Sequence, residues 1–232
     1  MIEIKPLASG SRGNCYYVTD GVTPLLLECG IPYKDIQRGL DFRVSEVAGC
    51  LVSHEHQDHA KAVKDLLRAG IDCYMSQGTK EALGVSGHRI RIIRAREQFT
   101  LGSWTILPFD TIHDAAEPLG FLLANQAGER LLFATDTAYI KYRFRGLTHI
   151  MIEANYDAEL KDNVAKGIVN AEVEKRIYKS HFSLANVKDF FKANDLRYVQ
   201  EIWLLHLSDG NSNAERFKRE IQELTGKMVF IA

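Results

Sequence analysis

The chain reads as an α/β protein of two β-sheets packed together and flanked by helices. Short apolar runs of strand length recur along it, several alternating with polar residues. Stretches with apolar residues three and four apart, such as Val63, Leu66 and Leu67 or Phe217, Ile221 and Leu224, mark helices among them. The order strands, helix, strands, helices gives two roughly similar halves. At 232 residues, 46% of them hydrophobic, the chain has ample material for a shared core. No composition shift divides it, so a single domain over residues 1–232 is expected.

Ile2, Ile4 and Leu7 alternate with polar residues as an opening strand, and residues 15–18 and 24–27 form the next two around the turn Asp20-Gly21. Between the first two lies the loop 9–14, which serves as a turn or lets Ser9, Ser11 and Asn14 approach a ligand and receive phosphate oxygens. Residues 33–40 suit a short helix, and 49–53 a buried strand. The next helix runs from Lys61 towards Ala69 and ends at Gly70. Residues 72–76 are a strand and 79–83 a small helix. Arg89, Arg91, Arg94 and Arg96 then either line a phosphate-bearing groove or protect a strand edge from aggregation.

Residues 99–101, 105–109, 119–123 and 130–134 suggest a run of antiparallel strands, with turns at Gly102-Ser103 and Ala127-Gly128-Glu129. Tyr139-Ile140-Lys141-Tyr142-Arg143-Phe144-Arg145 interleaves aromatics and cations, as in a grip on single-stranded nucleic acid or an ordinary surface helix or turn. A strand at 149–153 precedes a polar, poorly patterned excursion, 157–170, expected to shape the mouth of a site. Residues 171–178 read as helix, and Ser183 as the N-cap of another whose Leu184, Val187, Phe190 and Phe191 face the core. A buried strand, 202–205, ends at His206. The last helix, 214–224, leads to a closing strand, 228–231.

A formal net charge of -1 excludes a polybasic binder but permits a local basic patch. Cys15, Cys29, Cys50 and Cys73 show neither CxxC spacing nor disulfide density, so buried free thiols are expected. No basic segment followed by an apolar core opens the chain, and no apolar run reaches bilayer length. A soluble cytoplasmic protein without a membrane partner is the expectation.

The densest chemistry is His54-Glu55-His56-Gln57-Asp58-His59, directly after the apolar run 48–53. Neutral imidazole and ionised carboxylate suit zinc, and a mixed nitrogen and oxygen set also accepts manganese or iron. On an extended chain His54 and His56 project the same way, and Asp58 and His59, one turn later, can face a second ion. One segment can thus supply both halves of a two-metal centre. The plain alternative is a polar loop leading into a helix.

This HxHxDH pattern resembles the signature of the metallo-β-lactamase superfamily. Leu7-Ala8-Ser9-Gly10-Ser11-Arg12-Gly13-Asn14-Cys15 resembles the opening of one branch, the WalJ (YycJ) type. So do His113-Asp114-Ala115, Ala134-Thr135-Asp136-Thr137, Glu153-Ala154-Asn155-Tyr156-Asp157, His181-Phe182-Ser183 and His206-Leu207-Ser208. The resemblance implies the four-layer αββα sandwich of the metallo-β-lactamase fold. It also implies two divalent ions, zinc or manganese: one on His54, His56 and His113, the other on Asp58, His59 and His206, with Asp136 bridging. Glu28 stands where the family usually carries Asp. In the related ribonuclease Z branch a histidine at a helix start precedes the last ligand at the spacing of His181, and Ser183 follows it at a helix N-terminus suited to an anion. Asp58 and His181 are the candidate catalytic residues, His181 as proton donor to the leaving oxygen, or as a structural cap. Ser183 joins Ser9, Ser11 and Asn14 as a candidate substrate contact, whereas His88 and His149 match no motif.

The implied function is a binuclear metal-dependent phosphodiesterase, a DNA exonuclease working 5' to 3' with a metal-bound hydroxide. A small-molecule hydrolase on the same site, either a cyclic-nucleotide phosphodiesterase or a lactonase or thioesterase, is the alternative. A third is a binding or regulatory protein on a retained metal site. Exported β-lactamases use a cysteine ligand, and no cysteine lies in these blocks. Flavodiiron proteins carry Glu where His56 stands. The stretch between Asp136 and His206 is too short for the inserted cap of the larger nucleases. Neither the tRNA-grasping arm of ribonuclease Z nor the helical carboxy-terminal domain of hydroxyacylglutathione hydrolases is found in the sequence.

Overall fold

A computed structural model describes the backbone of residues 1–232 and every side chain except those of residues 158 and 159. Its strands form one six-stranded and one seven-stranded sheet, accompanied by helices, as the α/β expectation requires. The chain divides into two compact units, Met1–Asp110 with Ala115–Glu129, and Thr111–Asp114 with Arg130–Ala232.

In the first unit the six-stranded sheet has the order β1 (Glu3–Ala8), β2 (Cys15–Thr19), β3 (Leu25–Leu27), β4 (Gly49–Leu51), β5 (Cys73–Met75), β6 (Ile90–Ile92). The first three pair antiparallel, and β3 to β6 pair parallel. Every residue of β3 and β4 is buried, which is why they read as unbroken apolar runs rather than alternating ones. Parallel neighbours need crossover helices: α1 (Tyr33–Gly39) after β3, α2 (Gln57–Ala60) and α3 (Val63–Arg68) after β4, and α4 (Gln77–Leu83) after β5. The segments leaving the C-terminal ends of β3 and β4 therefore gather along one edge, where α/β sheets present their ligands. Beneath them Leu26, Cys29, Ile36, Cys50, Val52, Val63, Leu66 and Met75 share one core, and all four cysteines are free and buried.

The helix expected from Lys61 starts earlier, at Gln57, and is interrupted before Val63. The carbonyls of Asp58 and His59, which a continuous helix would use, instead accept from Asn14 N at 2.7 Å and Cys29 N at 2.8 Å. Ala62 N donates to Cys29 O rather than back along the helix. At the far side of the sheet, β6 is an edge strand whose neighbouring arginines are each paired with an acid. Arg89 and Arg91 hold Asp72 at 3.0 and 2.8 Å, Arg94 holds Glu97 at 3.5 Å, and Arg96 holds Asp110 at 3.6 Å. Of the two readings of this stretch, the charge-protected edge accounts for it. The unit also contains the antiparallel strands β7 (Phe99–Leu101), β8 (Trp104–Asp110) and β9 (Leu119–Ala124).

In the second unit β10 (Arg130–Ala134), β11 (His149–Glu153), β12 (Glu201–Leu205) and β13 (Met228–Ile231) pair parallel in that order. Its helices are α5 (Ala158–Ala165), α6 (Ala171–Ser180), α7 (Leu184–Ala193) and α8 (Ala214–Thr225). Side-chain oxygens of Asn170, Ser183 and Asn213 cap the last three by accepting from Val173 N, Asn186 N and Arg216 N. The excursion expected at 157–170 contains helix α5. No apolar stripe announced it, because among its described side chains Leu160 alone is buried and Asn163 ties it to Gly210 O at 2.6 Å and Asn211 Oδ1 at 2.8 Å. No helix among the described residues is long and apolar enough to cross a membrane.

Candidate metal centre

In the first unit the HxHxDH segment leaves β4 as extended chain and turns into α2 at His56. Nε2 of His54 lies 3.1 Å from Nδ1 of His56, and Nε2 of His59 lies 3.2 Å from Oδ2 of Asp58. The rings of His54 and His59 are 4.2 Å apart. Ligands about 2.0–2.1 Å from a tetrahedral ion stand roughly 3.3 Å from one another, so both pairs have the spacing of atoms sharing an ion. On the side away from these pairs, His54 Nδ1 meets Ser53 Oγ at 2.8 Å.

Two further loops hold the ligand turn. Asn14 is fully buried, and its amide group meets Asp58 O and His59 Nε2, both at 3.2 Å. Gly30 N donates to Asn14 O, and a Cβ on Gly30 would stand 1.7 Å from Asp58 O. A Cβ on Gly13 would stand 2.6 Å from Gly30 O. Glycine is needed at both points because backbone approaches backbone there. The 9–14 loop is thus a base for the ligand turn. Within it Ser9 Oγ meets Tyr16 Oη at 2.9 Å, and Ser11 is exposed.

Glu28 lies behind His59. It is fully buried, with a left-handed φ of 65°. Its Oε1 accepts from Ser53 N at 3.1 Å, and its Oε2 is 3.5 Å from His59 Nδ1. Burial pushes the pKa of this carboxyl up, and its contacts with His59 and Ser53 oppose that rise. A carboxylate behind a ligating imidazole fixes its tautomer and leaves the opposite nitrogen for an ion.

The second unit gathers its own set around Glu153, the last residue of β11, whose neighbours are β10 and β12. Asp136 and His206, just beyond those two strands, both have left-handed backbones, with φ 41° and 50°. His206 Nδ1 lies 2.8 Å from Asp136 Oδ1 and 3.1 Å from Glu153 Oε1. His181 Nδ1 lies 2.6 Å from the same Glu153 oxygen, and Glu153 Oε2 accepts from Thr137 N and Phe182 N at 3.1 and 3.0 Å. Asp136, Glu153, His181 and His206 each offer a ligand atom within 4.8 Å of the others. His113 donates from Nδ1 to Ser180 O at 2.7 Å, so its Nε2, 3.5 Å from Asp136 Oδ2, bears the lone pair a metal needs.

Electrostatics separates the histidines of this unit. Burial holds the pKa of His113 below its ordinary value, which suits a neutral ligand. Burial acts on His181 in the same direction, but the Glu153 carboxylate outweighs it and raises the pKa. Glu153 stays ionised: desolvation opposes this, while His181 and the hydrogen bonds it shares with His206 lower its pKa. Ser183, the remaining candidate contact, spends its hydroxyl on the cap of α7, and His149 lies buried in β11 against Thr148 Oγ1.

The structure therefore brings His54, His56, Asp58 and His59 together in one unit, and His113, Asp136, His181 and His206 in the other. Glu28 and Glu153 are the supporting residues to which the sequence assigned no definite role. Both are acids closing an otherwise apolar strand run, Leu25-Leu26-Leu27 and Ile150-Met151-Ile152, and that was the available signal.

Residues 33–193 match the model of the family described as beta-lactamase superfamily domain. Over 247 residues the sequence is 28% identical to exodeoxyribonuclease YycJ of Bacillus anthracis, covering 99% of this chain and 91% of that relative. The fold is that of YhfI, a metallo-β-lactamase fold protein from Bacillus subtilis, with a TM-score of 0.74 at 15% identity over 100% of this chain and 96% of the other. The short form of human tRNase Z is also similar, with a TM-score of 0.66 at 14% identity over 100% and 96% of the two chains.

Proposed function

The chain belongs to the beta-lactamase superfamily, and on that premise we propose that it is a binuclear metal-dependent phosphodiesterase that degrades DNA from the 5' end. In this reading the two units act as one domain over residues 1–232. His54, His56 and His113 would hold one zinc or manganese ion, Asp58, His59 and His206 would hold the other, and Asp136 would serve both. Bound there, the ions would supply a water of lowered pKa and positive charge for the phosphoryl oxygens.

The protein's own residues orient and move the proton. Glu153 accepts from Nδ1 of His181, which leaves the other ring nitrogen to carry a proton to the oxygen departing from phosphorus. Water adds to phosphorus as that P–O bond breaks. Glu28 and Asn14 keep His59 and the backbone of Asp58 in place, and the Asp136 carboxylate would offset repulsion between two bound cations.

The observation that carries the reading is His181 Nδ1 at 2.6 Å from the buried Glu153 carboxylate, beside Asp136 and His206. A proton donor at that point serves a poor alkoxide leaving group, as a phosphodiester presents. The choice of DNA and of an exonuclease follows the relative's name, and a cytoplasmic location goes with that substrate. Hydrolysis of 5'-labelled duplex DNA tests it, with single-stranded DNA, RNA, a cyclic mononucleotide and a lactone in parallel. Protein stripped and reloaded with manganese or zinc is compared with an Asp58→Ala, His59→Ala double variant. Metal-dependent loss of duplex that is absent from the variant is the expected result. Turnover of the cyclic nucleotide or the lactone alone overturns the substrate class.

A further inference from the structure

We infer that residues 139–145 form a rail for one strand of nucleic acid leaving the metal centre, with Tyr139 stacking a base and Arg143 and Arg145 holding successive phosphates. The inference rests on the nuclease reading and deepens it. The segment begins three residues after Asp136, so the chain itself leads from the candidate ligand onto the rail.

Exposure along the segment has a period of two. Ile140 and Phe144 are buried at 6% and 9%, whereas Tyr139, Lys141, Arg143 and Arg145 are exposed, Tyr139 at 55%. Alternation of this kind, on a chain without helix or strand pairing, is the pattern of an extended backbone with one face down and one in solvent. Same-face residues of an extended chain are spaced by about 6.6 Å, a repeat suited to successive units of a stretched polymer.

The rail is anchored at both ends. Ala138 N donates to Ile112 O, Ala138 O accepts from Asn186 Nδ2 at 3.0 Å, and Tyr139 O accepts from Thr137 Oγ1. At the other end Phe144 N donates to Asn194 Oδ1 at 2.8 Å, and Arg145 O accepts from Arg130 Nη1. Held in this way, the exposed side chains lose little backbone entropy when a ligand binds.

Charge separates this basic stretch from the other one. Each arginine between 89 and 96 is paired with a carboxylate. Arg143 and Arg145 make no ion pair among the described residues, and Asp189, which lines the cleft beside the segment, holds Lys192 at 3.2 Å. Two guanidinium groups without an acidic partner among the described residues, on a face with an exposed tyrosine, match a phosphate backbone with bases attached. The cleft between the segment and Phe182 and Phe190 measures 100 Å³, well below the ~300 Å³ at which small-molecule pockets begin. A ligand must therefore lie across it, and Phe182 directly follows His181.

The test is fluorescence anisotropy of the metal-loaded protein with a labelled single-stranded oligonucleotide of non-hydrolysable backbone, across a salt series. Arg143→Ala with Arg145→Ala should weaken binding at least tenfold and reduce the salt slope by about 1.4, or ~0.7 for each phosphate no longer held. Tyr139→Ala should cost about tenfold, and Tyr139→Phe should retain the affinity because the ring remains. Arg143→Lys with Arg145→Lys should retain the wild-type slope, which a merely structural role does not predict. A wild-type protein that fails to bind the strand, an unchanged slope in the double alanine variant, or an equal loss in Tyr139→Phe and Tyr139→Ala overturns the rail. Wild-type turnover of bis(p-nitrophenyl) phosphate and of DNA is read separately. Absence of both sinks the phosphodiesterase reading, whereas cleavage of DNA with unaffected variants sinks the rail alone.

Discussion

Glu153 Oε1 lies 2.6 Å from His181 Nδ1 with the carboxylate wholly buried, so the direction and charge of that imidazole are set from inside the protein. His181→Ala is expected to lower kcat on DNA by about 10²- to 10⁴-fold, and far less on bis(p-nitrophenyl) phosphate, whose phenolate departs without protonation, while metal content, read by elemental analysis, stays the same. Glu153→Gln should also reduce kcat, by about 10- to 100-fold, since it supports both His181 and His206. Wild-type kcat in His181→Ala would contradict its assignment as proton donor.

Glu28 reaches Ser53 N and faces His59 with one carboxylate. Shortening it by one methylene in Glu28→Asp should draw it away from one of the two and weaken metal affinity about tenfold in a chelator competition. Glu28→Ala leaves Ser53 N buried without its acceptor and should cost about 1–3 kcal/mol of stability in urea unfolding as well. Unaltered metal affinity in both variants would show that Glu28 does not orient His59.

Gly30→Ala places a methyl group on the carbonyl of Asp58, backbone that is held by Asn14 N and cannot easily retreat. The substitution should cost about 3 kcal/mol or more and release bound metal. Gly21→Ala, at a left-handed φ of 87° but with open space around it, should cost only about 1–2 kcal/mol. Equal losses in the two variants would mean that close packing at Gly30 is unimportant.

Asp72 carries a stability dependence on pH. Partial burial opposes its ionisation, but Arg91 and Arg89 outweigh that and hold its carboxyl below the ordinary range. A depressed folded-state pKa contributes stability that is present above the unfolded value, about 3.9, and is lost as pH falls through the folded one. Asp72→Asn should therefore be less stable than wild type by about 0.5–1 kcal/mol at pH 7, with a smaller difference at pH 3. Urea unfolding at both values checks this, and a difference that does not vary with pH would contradict it.

The two acids at the strand ends show how far the sequence could be read. The apolar runs of β3, β4, β11 and β12, the cap Ser183, and the cluster from His54 to His59 were legible because each depends on neighbours close in the chain: burial period, turn chemistry, ligand spacing. Helix α5 was not legible, since Asn163 and Leu160 hold it through residues elsewhere and leave no stripe. The same limit applied to the two arginine-rich stretches: each arginine between 89 and 96 meets an acid, whereas Arg143 and Arg145 meet none among the described residues.

By itself the sequence determined which residues can ligate a metal, where the strands that carry them end, and which family pattern they follow. Tertiary structure decided that Glu28 stands behind His59, that Glu153 serves His181 and His206 at once, and that Asn14 braces the ligand turn rather than lying open on the 9–14 loop. The physical reason is that a buried polar atom must find a partner within about 3 Å, and which partner arrives there is settled by strand order and loop packing across many residues of chain.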